Sequence, residues 1–170
     1  MISQTAEYAL RAMVVLGSQP TRPMTTQEIA RTSRVPSGYL SKVLQSLGRA
    51  GLVEARRGLR GGYVLSHPLD KITVYDVVNA VDPLKRILHC PLGMSAHADQ
   101  LCSLHRRLDD ALALIEANFR RTTLSDLLND RTLPRPGPLC NLPDVLGAST
   151  REGPVVSIGG GGRQDPEPHK

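Results

Sequence analysis

Tryptophan is absent from this 170-residue chain, and only four tyrosines and one phenylalanine are present: Tyr8, Tyr39, Tyr63, Tyr75 and Phe119. Proteins that grip single-stranded nucleic acid need aromatic platforms for the bases to stack on, so that class is disfavoured. Three cysteines, Cys90, Cys102 and Cys140, are too few and too unevenly spaced to make a disulfide framework. There is no apolar leader and no run approaching ~18 apolar residues, which argues against secretion and against a membrane span. A reducing cytoplasm is the expected home, and there cysteine beside histidine more often signals metal or redox chemistry than a disulfide. No nucleophile–base pair, paired carboxylate set or phosphate loop stands out, and Gly159 to Gly162 lacks the Lys-Ser/Thr, strand and helix of a P-loop. The chain is not expected to be an enzyme.

What is present is positive charge in one place. Residues 1–66 carry nine Lys or Arg against three Asp or Glu, net +6, and residues 67–170 carry twelve against thirteen, net −1, which together make the chain's +5. A concentrated basic region suits a polyanion, and with so few stacking rings double-stranded DNA is the better fit.

The apolar spacing predicts a mainly helical fold with one small β-hairpin. Residues 3–17 carry Ala6, Ala9, Leu10, Met13 and Leu16 at three-and-four spacing. Thr25-Thr26-Gln27-Glu28 reads as a capping box that starts a short helix ending near Ser33. Val35-Pro36-Ser37 then breaks the chain, and a helix with Ser37 as its expected N-cap buries Leu40, Val43, Leu44 and Leu47 until Gly51. Its other face shows Ser41, Lys42, Gln45 and Arg49. Taken alone this is a solvated surface; behind a short capped helix it is what a helix-turn-helix presents to the major groove. LVEARRGLRGGYVLS, residues 52–66, reads as two strands joined at Gly58 to Gly61, with Arg56, Arg57 and Arg60 at or beside the tip. A basic hairpin after a basic helix is the winged-helix order, in which the wing grips phosphate or the minor groove with arginine's planar fork.

Thr73 is expected to cap a helix with a Val74, Val77, Val78 and Val81 stripe, ended by Asp82-Pro83. From about Asp99 to Arg121 a longer helix carries Leu101, Leu104, Leu108, Leu112, Ile115 and Phe119. So long a stripe at the end of a small domain calls for a partner, and a second subunit is preferred over the chain's own core. Thr122 to Leu128 suggests one more short helix. Residues 131–170 hold seven of the thirteen prolines and seven of the fifteen glycines, so a disordered tail is expected there, with Cys140 inside it.

SQTAEYALRAM, PSGYLSKVLQSLGRAGLVEARRGLRGGYVLS and TTLSDLL resemble the IscR/NsrR-type family of bacterial winged-helix transcription regulators. The resemblance covers about residues 1–129. It implies a homodimer crossed at the long helix through Leu104, Leu108, Leu112, Ile115 and Phe119, bound to imperfect palindromes in promoters, usually as a repressor. Ser37, Tyr39, Ser41 and Lys42, with Gln45, match the base-reading region, and Arg57, flanked by Arg56 and Arg60, matches the wing arginine. The implied division is a DNA-binding domain over 1–82, a Cys/His sensor loop over 83–98, a dimerisation helix with a short terminal helix over 99–130, and the tail over 131–170.

Several members of that family hold an iron-sulfur cluster; others respond to small molecules or to partner proteins without a cofactor, and the latter is the alternative function here. In CPLGMSAHADQLCSLH, residues 90–105, Cys90 and Cys102 stand where the first and last cluster cysteines would be, and His105 follows at Cys-x-x-His spacing. The middle cysteine is missing, with only His97 near its place, while Glu7 matches an acidic position that a partner's first helix can supply. A 2Fe-2S cluster with mixed Cys/His ligation is chemically reasonable. So is zinc. So are a reversible Cys90–Cys102 disulfide, or two packed thiols with Glu7 merely paired to Arg11.

Overall fold

The computed structural model describes residues 2–58, 61–92 and 100–129. Six helices and one hairpin follow in the order α1 (Gln4–Gly17), α2 (Thr26–Ser33), α3 (Ser37–Arg49), β1 (Val53–Arg56), β2 (Gly62–Leu65), a single 3-10 turn (Leu69–Lys71), α4 (Val74–Val81), α5 (Ser103–Arg121) and α6 (Leu124–Asn129). The fold is that of a winged helix-turn-helix, mostly helical with a two-stranded antiparallel wing.

α1 is the centre of the core. Ser3 caps it by accepting from the Ala6 N–H, and Ala6, Ala9, Ala12, Met13, Val15 and Leu16 are all buried. From Ala12 to Gly17 every residue of α1 is buried, the mark of a helix enclosed on all sides. α2 starts with the reciprocal box read from the sequence: the Glu28 N–H donates to the Thr25 hydroxyl at 3.2 Å, and the Thr25 N–H donates back to Glu28 at 2.8 Å. Arg34, at φ 54°, ends α2 in the left-handed region, where a residue with a Cβ is strained. The next helix begins one residue differently from expectation. Pro36, extended at ψ 130°, occupies the cap, and Ser37 is the first helical residue. Its hydroxyl makes no capping bond; instead the Ser37 carbonyl accepts from the Ser41 hydroxyl at 3.1 Å.

The hairpin pairs Val53 with Leu65 through to Arg56 with Gly62. A third short segment closes its edge, because Met24 and Tyr63 exchange two main-chain hydrogen bonds of 3.0 and 2.8 Å. Gly61 and Gly62 are required by close approach: a Cβ on Gly62 would stand 2.5 Å from the Met24 carbonyl oxygen, and one on Gly61 2.4 Å from that of Arg56.

α4 begins with a Thr73–Asp76 box and buries Val74, Val77 and Val78, with Val81 half-buried at its end. After α5 the chain returns to the core. Thr122 accepts from the Val74 N–H at 2.8 Å, the Leu124 N–H donates to Ile72 at 2.9 Å, and the Leu124 side chain is fully buried. The far end of α5 is thereby tied to the start of α4. The near end departs from the sequence expectation: Cys102 is extended, at ψ 164°, and serves as the N-cap, so the helix starts at Ser103 and not near Asp99. Leu101 therefore lies outside the helix. Residues 131–170, including Cys140, fall outside the described residues, as does His97.

Candidate DNA interface and cysteine–histidine site

α3 divides its residues cleanly. Leu40, Val43, Leu44 and Leu47 face the core, while Ser37, Tyr39, Ser41, Lys42 and Gln45 are exposed on the other side. Tyr39 is 57% exposed, and its ring meets the edge of Tyr8 on α1 with centroids 6.1 Å apart and planes at 75°. That contact fixes the start of α3 against α1, and nothing in the local sequence pattern announces it. Arg56 ends β1, Arg57 follows at the wing tip, and both are exposed. The turn is closed by a 2.9 Å hydrogen bond from the Gly61 N–H to Gly58. Arg60 lies outside the described residues.

The second group sits where residues 86–90 run along the head of α5. The Nδ1 atom of His105 lies 3.1 Å from the Cys102 sulfur and 3.6 Å from the Cys90 sulfur, and the three donor atoms all fall within 4.8 Å of one another. Both cysteines are half-buried thiols and are not in a disulfide. The Cys102 sulfur makes no close capping bond, yet the main-chain N–H of His105 favours its charged form. That effect, helped by the His105 ring and the Cys90 thiol and opposed by partial desolvation, holds the Cys102 pKa down to about 7 from the ordinary 9.0.

The donor set fits three corners of a tetrahedral site for one thiophilic metal ion; in a 2Fe-2S cluster, where each iron takes two protein ligands, one of the three would move to the second iron. Metal–sulfur bonds of ~2.3 Å and metal–nitrogen bonds of ~2.0 Å set tetrahedral S···N edges of roughly 3.5 Å, close to the 3.1 and 3.6 Å found here. Glu7 is not part of this group. It pairs with Arg11 on its own helix.

Two residues that sequence reasoning missed join the segment before Cys90 to α5 beside this group. Asp109, one turn beyond His105 on α5, accepts from Arg86 Nε and Nη2 at 2.6 Å each and from the Ile87 N–H at 2.9 Å. These contacts press the Asp109 carboxyl down to about 2, the Arg86 hydrogen bond most of all, and raise the Arg86 guanidinium pKa. The partners are 23 residues apart, so no local motif could have joined them.

The apolar stripe of α5 has two sides. Phe119 packs on the Ala6, Val74 and Val78 cluster, and Leu112 is half-buried. Leu104, Leu108 and Ile115 turn outward, 62%, 48% and 42% exposed, with Leu114 beside them at 73%. No helix of the described residues is long and apolar enough to cross a membrane.

Comparison with known proteins agrees with this architecture. The family model Rrf2, described as an iron-dependent transcriptional regulator, matches residues 2–130. An HTH-type transcriptional regulator of Aquifex aeolicus (strain VF5) is 32% identical over 132 residues, covering 76% of this chain and 92% of that protein. The solved structure of CymR, the global cysteine regulator of B. subtilis, superposes with a TM-score of 0.63 at 26% identity, over 75% of this chain and 95% of that one. IscR of T. potens shares the fold at a TM-score of 0.62 and 23% identity, over 75% of this chain and 85% of its own. The chain belongs to the Rrf2 family of transcription regulators, non-enzymatic proteins that bind DNA.

Proposed function

We propose that this regulator is a homodimeric repressor on a palindromic promoter site, and that its grip on DNA is set by the state of Cys90, Cys102 and His105. The observation that carries the reading is the convergence of both sulfurs on His105 Nδ1, at the head of the same helix whose outer face is a row of exposed leucines. Ser37, Tyr39, Ser41, Lys42 and Gln45 read base edges in the major groove. Arg56, Arg57 and Arg60 hold the wing to phosphate and the minor groove. Pairing α5 with its twin through Leu104, Leu108 and Ile115, with Leu112 and Phe119 supporting the helix from within, sets two α3 helices ~34 Å apart, one turn of duplex or a multiple. The functional divisions follow: DNA binding over residues 1–82, sensing over 83–98, dimerisation over 99–130, and a Pro/Gly-rich tail over 131–170. The protein works in the cytoplasm, where its promoter is.

A 2Fe-2S cluster is the proposed cofactor, held by Cys90, Cys102 and His105. Its fourth bond would come from Glu7 of a second copy, for which the Glu7–Arg11 pair must open. Bound there, the cluster would supply sensitivity to iron supply or oxidants. Anaerobic purification tests this directly through the visible spectrum and the iron, sulfide and zinc content, followed by mobility shifts before and after cluster loss. A coloured protein whose DNA affinity changes on bleaching is expected.

A second reading rests on the same proximity together with the readily ionised Cys102. Cys90 and Cys102 give up two protons and two electrons to a peroxide, which leaves as water, and a disulfide replaces the pair. A colourless protein that also forms no Cys90–Cys102 bond under peroxide would exclude both chemistries.

A further inference from the structure

The Arg86–Asp109 contacts stand beside the thiol pair and belong to neither sulfur. Residues 82–92 cross from α4 to the head of α5 without regular secondary structure. Such a segment does not by itself fix a thiol to within hydrogen-bond distance of an imidazole. We propose that Arg86 and Asp109 are positioning residues for the sensor: together they clasp the incoming segment to α5 and so hold Cys90 against Cys102 and His105. This inference rests on the proposed sensing role of the three side chains and adds how they are brought together.

Geometry supports the assignment at each step. Asp109 and His105 are four residues apart on α5 and therefore share one face. The Asp109 side chain is only 14% exposed, and both its oxygens are used, one by Arg86 alone and the other by Arg86 and the Ile87 main chain. A planar guanidinium gripping a carboxylate with two parallel bonds fixes direction as well as distance. Glu116, two turns further along, stands 3.8 Å from the same guanidinium and adds to the field that holds it. The bond to the Ile87 amide matters most, because it immobilises backbone three residues before Cys90.

Chain statistics give the size of the effect. With the clasp, Cys90 hangs three residues from a fixed point at Ile87. Without it, the nearest fixed point upstream is Leu84, packed against the Ala6, Val74 and Val78 cluster, six residues away. Doubling a tether dilutes its end by roughly threefold, from the three-halves power of length. Loss of orientation adds to this, so the encounter of Cys90 with Cys102 should slow by at least about threefold.

The test uses the full-length, metal-free, reduced protein and the dithiol oxidant diamide, which takes up two electrons and two protons as the disulfide forms. The rate of the Cys90–Cys102 bond is read by alkylation and mass spectrometry, in native buffer and in denaturing urea. Wild type should react faster folded than unfolded. Asp109→Ala, which removes the acceptor of both Arg86 and the Ile87 amide, should be at least about threefold slower than wild type in buffer and equal to it in urea, where no clasp exists. Arg86→Lys, which keeps the charge but cannot reach both oxygens, should fall between. Asp109→Asn, which can still accept from Ile87, should fall between as well, and far-UV circular dichroism with a urea melt confirms that each variant is folded. Urea equality separates positioning from any intrinsic change at the thiols. Asp109→Ala reacting in buffer at the wild-type rate, with wild type itself accelerated by folding, would overturn the clasp and leave the sensor reading standing. A wild type no faster folded than unfolded would overturn the clasp together with the disulfide reading.

Discussion

Leu108→Glu tests the proposed dimer face at its centre. Leu108 is 48% exposed in the single chain, between Leu104 at 62% and Ile115 at 42%. Fully burying a leucine contributes about 1.5–3 kcal/mol, so covering the half of Leu108 that remains open contributes about 1 kcal/mol. A twofold axis makes every substitution count twice, and losing the apolar side chains alone removes about 2 kcal/mol from association. Two carboxylates placed against a leucine row add at least about 1 kcal/mol each, the lower bound for a polar group buried without a partner. The total, about 4 kcal/mol, raises the dimer dissociation constant by nearly a thousandfold. Sedimentation equilibrium reads this directly, and fluorescence anisotropy on a full palindrome and on an isolated half-site reads its consequence. The variant should sediment as a monomer at micromolar concentration, bind the half-site as wild type does and lose its preference for the palindrome. The half-site result matters because α3 and the wing are distant in sequence from Leu108 and should be undisturbed. A Leu108→Glu protein that still sediments as a dimer and keeps wild-type affinity for the palindrome would refute the assignment of this face.

Arg57→Ala should weaken specific DNA binding by about 1–3 kcal/mol and flatten its salt dependence; an unchanged mobility-shift titration would remove Arg57 from the interface. Gly62→Ala forces a Cβ into the Met24 main chain, breaking two hydrogen bonds worth about 0.5–1.5 kcal/mol each and adding strain, so a urea melt should show about 2–4 kcal/mol of destabilisation. Gly58→Ala, where φ is 114° but the space is open, should cost only about 1 kcal/mol, and equal losses at the two glycines would show that close approach is not the reason. Asp109 has a pKa pressed down to about 2 from an ordinary 3.8. Its contribution is therefore fully present above about pH 4 and is lost as pH falls toward 2. Wild type should be more stable than Asp109→Asn across the higher range, and acid titration of both proteins should show the difference vanishing within that window; a difference that persists at pH 2 would contradict the ion pair as its source.

Much of the DNA-binding half is legible in sequence because its signals are local. Thr25 and Glu28 are three residues apart, and the capping box they form could be read directly. Leu40, Val43, Leu44 and Leu47 mark the inner face of α3, which leaves the outer face by elimination. Gly58 to Gly61 mark the turn of the wing, but the close approach that requires Gly62 depends on the Met24 carbonyl, which lies far back in the chain. What could not be read depends on distant partners. Arg86 and Asp109 look like two more surface charges until the fold brings them together. Along α5, spacing of three and four fits two adjacent faces equally well, so periodicity merged Phe119, which is packed inside, with Leu108, which is not. α5 starts later than its apolar spacing predicts, because Leu101 continues the pattern while Cys102 adopts the extended backbone of a cap.

Regulation in this architecture requires a free-energy difference between two arrangements of the DNA-binding helices. A tenfold change in operator occupancy needs only about 1.4 kcal/mol, less than the estimated contribution of Leu108 to the pairing of two chains. The cysteine–histidine group and the DNA-binding head meet opposite ends of α5. Cys102 caps the beginning of α5, and the main-chain bonds of Thr122 and Leu124 lock its end to the residues that start α4. A change at Cys90, Cys102 and His105 therefore has no slack segment in which to dissipate along this helix. It must shift the segment over residues 82–92 or tilt α5 as a whole. In the proposed dimer, only the tilt alters the row formed by Leu104, Leu108 and Ile115, and with it the distance between the two α3 helices. On the proposed reading, a ligand or oxidation event that leaves the packing of this row unchanged will leave repression unchanged, however tightly the ligand binds or however completely the thiols react.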